Sequence, residues 1–360
     1  MSDLISVLMC VYNTPVEYLS EAVDSILSQT YKNIEFIIVD DGSDELDIVN
    51  YLSEIESSSN NVKLIRNDKN LGLTQSLNIG LKQCCGKYIA RMDSDDISMP
   101  ERLAMQYEYM EQHEDVSLVG SNIICFGEGI ENTRRNPKEV FDDPEMYRIS
   151  SLFQQSGPPH PTFMFRSSFL RDKGIDYRED ILKAQDYGIM VDTLMHGGGI
   201  RKIMTPLLKY RIHKDQITNG FGVEQQMYQC KVSYDYIGYL FPELSGEERA
   251  ALSLLGSGKG VAGTIELVNS DGEIRSICEH LANYAEILTC SNVYIKAIRH
   301  IIGLNTTKRL YMSEKFKAVI RGKWWKLAIR TSMELRKPWG VNLYTLLSYK
   351  YSGMGEVYNG

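Results

Sequence analysis

The chain predicts an α/β fold in which a mainly parallel sheet carries helices on both faces, followed from about residue 223 by a helical region. Three observations predict it. Short apolar runs alternate with segments of helical periodicity through the first half. Polar clusters follow the apolar runs, as expected where the carboxyl ends of parallel strands open on one crevice. Beyond residue 222 strand signals give way to helical spacing, so the 360 residues divide into expected domains at 1–222 and 223–360.

Taken in order, Ile5 to Val11 is an apolar run suited to a strand buried on both faces. Val16 to Gln29 sets Tyr18, Leu19, Ala22, Val23, Ile26 and Leu27 at helical spacing. Ile34 to Val39 is the second strand and ends in Asp40-Asp41-Gly42-Ser43. Val62 to Ile65 is the third, Leu73 to Lys82 a helix, and Lys87 to Met92 a fourth strand delivering Asp93-Ser94-Asp95-Asp96. This βαβαβαβ order brings Tyr12-Asn13, Asp40-Asp41 and Asp93 to Asp96 to one side of the sheet.

Composition narrows the functional class. The apolar fraction of 43% is ordinary for a globular chain. No apolar stretch is long enough to span a bilayer, and Met1-Ser2-Asp3 lacks the basic start of a secretory signal, so a cytoplasmic location is expected. Seven cysteines, with only Cys84 and Cys85 adjacent, give neither a CxxC motif nor a disulfide framework. Residues 296–360 hold 13 basic residues against three acidic ones, net +10, while the other residues hold 26 against 44, net −18. A basic segment on an acidic body suggests an anionic surface as partner and argues against nucleic acid.

Three carboxylates in four positions repel one another unless a cation sits among them. Asp93, Asp95 and Asp96 therefore suit a divalent ion, and an oxygen-only set suits magnesium or manganese rather than zinc. The same residues also suit a solvated acidic turn. The first strand is followed by Val11-Tyr12-Asn13-Thr14-Pro15, with neither the GxGxxG of dinucleotide binding nor a P-loop. A carboxylate at Asp41 could accept from a base imide or a ribose hydroxyl, and a metal at Asp93 and Asp95 could hold a diphosphate, so a nucleoside diphosphate fits both ends. Asp40 to Ser43 also reads as an Asp-Gly turn and helix cap.

Ser6 to Asn13, Val39 to Ser43, Asn70-Leu71-Gly72 and Tyr88 to Asp96, with Gly157 to Thr162, Gln185-Asp186-Tyr187 and Tyr210 to Gln216 further on, form an ordered set. Over residues 4–220 it resembles glycosyltransferase family 2, in particular bacterial members that build surface polysaccharides. The resemblance implies the GT-A fold, a Rossmann-like mainly parallel sheet with helices on both faces. It implies an inverting hexosyltransferase, moving galactose, glucose or an N-acetylated form from a UDP-sugar to a saccharide acceptor. That acceptor would be carried on a lipid diphosphate such as undecaprenyl diphosphate, for capsule, O-antigen or lipooligosaccharide synthesis. Val11, Asn13, Asp41, Asn70, Arg91, Asp93, Ser94 and Arg211 would contact the donor, Asp95, Asp93 and His213 would hold Mn2+ or Mg2+, and Asp186 would be the catalytic base. Gln185 departs from the Glu-Asp pair common in the family, so a neighbouring negative charge is missing beside Asp186. Asp186 also suits a helix N-cap.

Two other classes fit less well. A sugar nucleotidyltransferase would need a Gly-rich basic loop after the first strand, and a non-catalytic nucleotide-sugar-binding module has no need of both Asp95 and Asp186. Near the C-terminus, Lys315 to Lys337 interleaves Lys and Arg with Phe316, Ile320, Trp324, Leu327 and Leu335 at helical spacing. Such a basic amphipathic helix suits peripheral attachment to the anionic inner face of the cell membrane, or else packing on the body of the protein or in a homodimer. Gly322 weakens it by ~1 kcal/mol. Nothing in the pattern selects one hexose, because that choice rests on contacts to one or two hydroxyls.

Overall fold

A computed structural model describes residues 2–127, 130–135, 157–213 and 222–240, together with Tyr147, Ser151, Pro242, Gly246, Arg249 and Ser253. The basic helix expected at Lys315 to Lys337 lies outside the described residues. Among those described, no helix is long and apolar enough to cross a membrane. The chain divides into two compact units, and the first, Met1–Ser151 with Gln155–Val232, contains every strand given below.

The elements of the first half are β1 (Ile5–Val11), α1 (Val16–Leu27), β2 (Ile34–Asp40), α2 (Leu46–Ser58), β3 (Val62–Arg66), α3 (Leu73–Leu81) and β4 (Tyr88–Asp93). Then follow β5 (Ile97–Ser98), α4 (Arg102–Gln112), β6 (Val116–Gly127), β7 (Ile130–Arg135), β8 (Met164–Arg166), α5 (Ser167–Lys173), α6 (Gln185–Met195), β9 (Gly199–Ile212) and α7 (Gly222–Leu240). One nine-stranded sheet runs in the order β3-β2-β1-β4-β8-β6-β9-β5, with β7 on β6.

The half β3-β2-β1-β4 is parallel, as the alternation of runs predicts. Its strands are covered on both sides, which is why they read as apolar runs rather than alternating ones. Val7, Met9 and Val11 point into a core with Leu19, Val23 and Ile26 of α1 and Leu103 and Met110 of α4. Leu8 and Val39 face α3, so closely that a Cβ on Gly80 would lie 2.2 Å from Leu8 Cδ1. The helix α2 buries only Ile48 and Leu52.

Beyond β4 the sheet is mixed. β8 joins β4 and β6 antiparallel, the long strands β6 and β9 pair parallel, and the two residues of β5 pair antiparallel with β9. Register decides what these strands bring together. Val11 pairs with Asp40 and Cys10 with Asp93, so the loops leaving β1, β2 and β4 start at one level. Pairing of Ile97 with Lys209 and Ser98 with Leu208 then carries the residues after Asp96 to the end of β9.

Candidate active site

The acidic motif sits where β4 ends. Asp93, Asp95 and Asp96 each offer an oxygen, all within 4.8 Å of one another. Asp93 is ion-paired to Arg91, whose guanidinium is buried beneath the motif. Asp95 Oδ2 is hydrogen-bonded to His213 Nε2 at 2.9 Å. Asp96 is fully buried; its Oδ1 accepts from the Arg211 backbone N–H at 2.8 Å, and its Oδ2 has no hydrogen-bond partner among the described residues. Ser94, between them, shares a 2.7 Å hydrogen bond with Thr14 of the loop after β1.

Positive charge surrounds this cluster. Arg211 donates from Nε to the Asp95 carbonyl at 2.7 Å and pairs through Nη2 with Glu21 of α1. Its guanidinium lies 4.2 Å from the Tyr18 ring centre and 4.6 Å from that of Phe126. Arg91 is thus paired within the motif, while Arg211 packs against it and also pairs with exposed Glu21. Arg102 was not anticipated. It is fully buried at the start of α4 and donates to the Arg91 carbonyl at 2.6 Å, to Gln106 Oε1 at 3.0 Å and to Met92 Sδ at 3.3 Å. Burial pushes its guanidinium down to about 9, while the charges of Asp96 and Asp93 oppose that shift.

Burial raises the Asp93 carboxyl above its ordinary range; Arg91 works against the rise, and the charges of Asp95 and Asp186 add to it. Burial, then Asp95 and Asp93, push Asp96 well above that range. Crowded carboxylates, one buried oxygen left over and an all-oxygen set fit a hard divalent cation.

The crevice opposite is built on β2. Asp40 makes the turn, accepting from Ser43 N–H at 2.9 Å and pairing with Arg66 at 2.9 Å. Asp41 accepts from Asn67 Nδ2 and Leu71 N–H, both at 2.8 Å, and from Gly72 N–H at 2.9 Å. Its own N–H donates to the Val11 carbonyl at 2.8 Å. Asp40 thus closes the turn, and Asp41 ties that turn to the loop at 67–72. Asn13, at φ 46°, donates from Nδ2 to Asp44 Oδ1 at 2.8 Å and from its own N–H to Ser43 Oγ at 3.1 Å. Gly42 has φ +77°, and a Cβ there would lie 2.5 Å from the Lys69 carbonyl carbon, so only glycine lets this turn seat against the loop bearing exposed Asn70. Val11, Asn13, Asp41 and Asn70 thus meet on one side, and Asp93 to Asp96, Arg91, Arg211 and His213 on the other.

Asp186 is half-buried in the first turn of α6, accepting from Tyr187 N–H at 2.7 Å. The N-cap is Ala184, not Asp186, and Ala184 is held at φ 108°, ψ 29°. An L-residue there carries strain of order 1–3 kcal/mol. The charge of Asp186 is felt at Asp93 and at buried Tyr177, so β4 and α6 bring their carboxylates to one neighbourhood. His160 of the Gly157 to Thr162 motif is buried and hydrogen-bonded through Nε2 to Tyr177 Oη at 2.8 Å. Burial, then the charge of Arg91, holds it well below the usual histidine range.

Sheet order, the acidic motif at the end of β4 and the crevice on β2 define a GT-A enzyme. The family model described as Glycosyl transferase family 2 matches residues 6–175. Amylovoran biosynthesis glycosyltransferase AmsE of Erwinia amylovora is 30% identical over 66% of this chain and 89% of its own length. O-antigen biosynthesis glycosyltransferase WbnJ of Escherichia coli is 33% identical over 59% of this chain and 80% of its own. The crystal structure of S. aureus TarS residues 1–349 with UDP-GlcNAc superposes with a TM-score of 0.55 at 17% identity, over 81% of each chain, a likeness of fold. The chain belongs to glycosyltransferase family 2 and is a glycosyltransferase.

A carboxyl raised in the folded state is destabilising while ionised, and the burden lifts as pH falls through the raised value. Asp96→Asn keeps an oxygen for the Arg211 N–H and removes the charge. It should raise the melting temperature at neutral pH without divalent ions by a few degrees and flatten the gain on acidification, read by scanning calorimetry. A lowered melting temperature at neutral pH would show that the buried charge is favourable where it stands.

Proposed function

We propose that this glycosyltransferase moves a hexose from a UDP-sugar to a saccharide acceptor in surface-polysaccharide synthesis, with inversion and with a divalent cation. The observation carrying the reading is the convergence of the Asp41 crevice and the acidic motif on either side of β1, with Asp186 in electrostatic reach of Asp93. A nucleoside diphosphate spans such a pair of ends. The O-antigen role in the name of WbnJ supports the polysaccharide, and the UDP-GlcNAc bound by TarS supports the donor class.

In this reading Asp41, with the backbone around Val11, Asn13 and Asn70, receives the uridine. Asp95 and Asp93 hold Mn2+ or Mg2+, and His213 orients Asp95. When bound, the metal supplies positive charge against the leaving diphosphate. Arg91 and Arg211 keep the carboxylates in place. The acceptor hydroxyl approaches the anomeric carbon from the face opposite UDP; its oxygen forms the new C–O bond as the bond to the diphosphate breaks, and its proton passes to Asp186. An α-linked donor yields a β-linked product, with no covalent enzyme intermediate. The basic segment at 296–360 suits a lipid-linked acceptor at an anionic membrane face.

Three outcomes are expected. Excess EDTA should abolish UDP release from a panel of UDP-hexoses and Mn2+ or Mg2+ should restore it, while Asp95→Asn loses the metal-dependent part of UDP binding; full activity in EDTA would remove the metal. Asp186→Asn should lower turnover by ~10²-fold or more with donor affinity little changed. Loss of donor binding with intact turnover would make Asp186 a donor ligand, and an α-linked product by NMR would refute single displacement. Charge reversal of Lys323, Lys326 and Arg330 to Glu should release the protein from anionic liposomes and leave transfer to a soluble acceptor intact. Equal wild-type binding to neutral and anionic liposomes at low salt would end the membrane assignment.

A further inference from the structure

We propose that Asn78 is a positioning residue for Asp186, acting through α3 and a loop held under strain at Ala184. The inference rests on the reading of Asp186 as the base. Asn78 is buried and binds both backbone groups of one residue 99 positions away. Its Nδ2 donates to the Tyr177 carbonyl at 2.7 Å, and its Oδ1 accepts from Tyr177 N–H at 2.9 Å. One turn earlier on the same face, buried Thr74 donates from Oγ1 to the Ile181 carbonyl at 3.3 Å. Tyr177 is fixed at its other end as well, by the hydrogen bond to His160. Three residues past Ile181 lies Ala184 at φ 108°, and two past that lies Asp186.

A left-handed alanine persists only where its surroundings over-determine the backbone. Ala184 itself is held by Gly188 N–H, which donates to its carbonyl at 2.9 Å, and by Gln185 Oε1, which accepts from its N–H at 3.1 Å, while the chain leading into it is tied at Tyr177 and Ile181 to α3. Its leading residues are held by the other functional carboxylate, since Leu71 and Gly72 donate their N–H groups to Asp41. One helix thus connects the expected uridine carboxylate to the expected base. Without the Asn78 latch, Ala184 is free to leave the left-handed region, and Asp186 moves with it. The contacts at Asp41 lie upstream of the latch and stay as they are.

The test is steady-state kinetics of the full chain with whichever of UDP-glucose, UDP-galactose or their N-acetyl forms supports the highest wild-type turnover, with UDP affinity measured by calorimetry. Asn78→Ala should lower kcat by ~10- to 10²-fold, the penalty of a misplaced reacting group, and leave UDP affinity unchanged. Ala184→Gly alone should keep a wild-type kcat, because glycine occupies positive φ without strain. Combined with Asn78→Ala it should restore much of the lost turnover, which a merely structural Asn78 would not allow. If Asn78→Ala fails to fold, Thr74→Val takes its place, with a smaller loss and the same rescue. The proposal is overturned by a folded latch variant with wild-type kcat, by a joint loss of kcat and UDP affinity, or by the absence of rescue. Asp186→Asn run alongside separates the two ideas: wild-type turnover in that variant overturns the base itself, whereas its loss beside an active latch variant overturns only the positioning.

Discussion

Repulsion among Asp93, Asp95 and Asp96 is the constraint around which this half of the molecule is arranged. Carboxylates within 4.8 Å of one another, one of them fully buried, stay together only where cations and N–H donors are held against them. Those donors come from several parts of the chain. Arg91 rises from the same strand, Arg211 and His213 arrive on β9, and Arg102 lies beneath at the start of α4. Arg91 and Arg102 are near the motif in sequence, but Arg211 and His213 reach it only through pairing across the sheet. The sheet must close in the order it does, with β5 stitched to β9, before the acidic motif is tolerable.

Burial, more than crowding, sets how this motif carries its charge. Asp96 Oδ2 is buried without a partner among the described residues, and both Asp93 and Asp96 titrate above their ordinary range. In both, burial is the larger cause of the rise and the neighbouring carboxylates the smaller, while Arg91 opposes it.

Much of this was legible in the chain, for a physical reason. Parallel strands covered on both faces write themselves as apolar runs, and the polar residues after them mark the open ends, so β1 to β4 and the two acidic clusters could be read locally. The unread parts have signals that are not local. β5 is two residues long, and its role depends wholly on pairing with Lys209 and Leu208. Arg102 stands behind Pro100 and Glu101 as an ordinary helix-start residue, and only burial reveals it as a cation beneath the motif. Of the partners of Asp40 and Asp41, Ser43 is local, whereas Arg66 for the first and Asn67, Leu71 and Gly72 for the second are likewise distant.

Gln185 is instructive in the same way. Read as a departure from a Glu-Asp pair, it removes one negative charge from the side of Asp186 and leaves open what else could govern that carboxylate. The surroundings supply an answer that needs no neighbouring acid. Gln185 Oε1 accepts from Ala184 N–H at 3.1 Å, a contact a glutamate could also make, so the amide serves the backbone of the strained turn. The charge of Asp186 is felt in turn at Asp93, at the end of β4. Geometry that holds Asp186 at its distance from β4 therefore also sets how strongly its charge acts on Asp93, and that distance is a property of the loop between Tyr177 and Ala184.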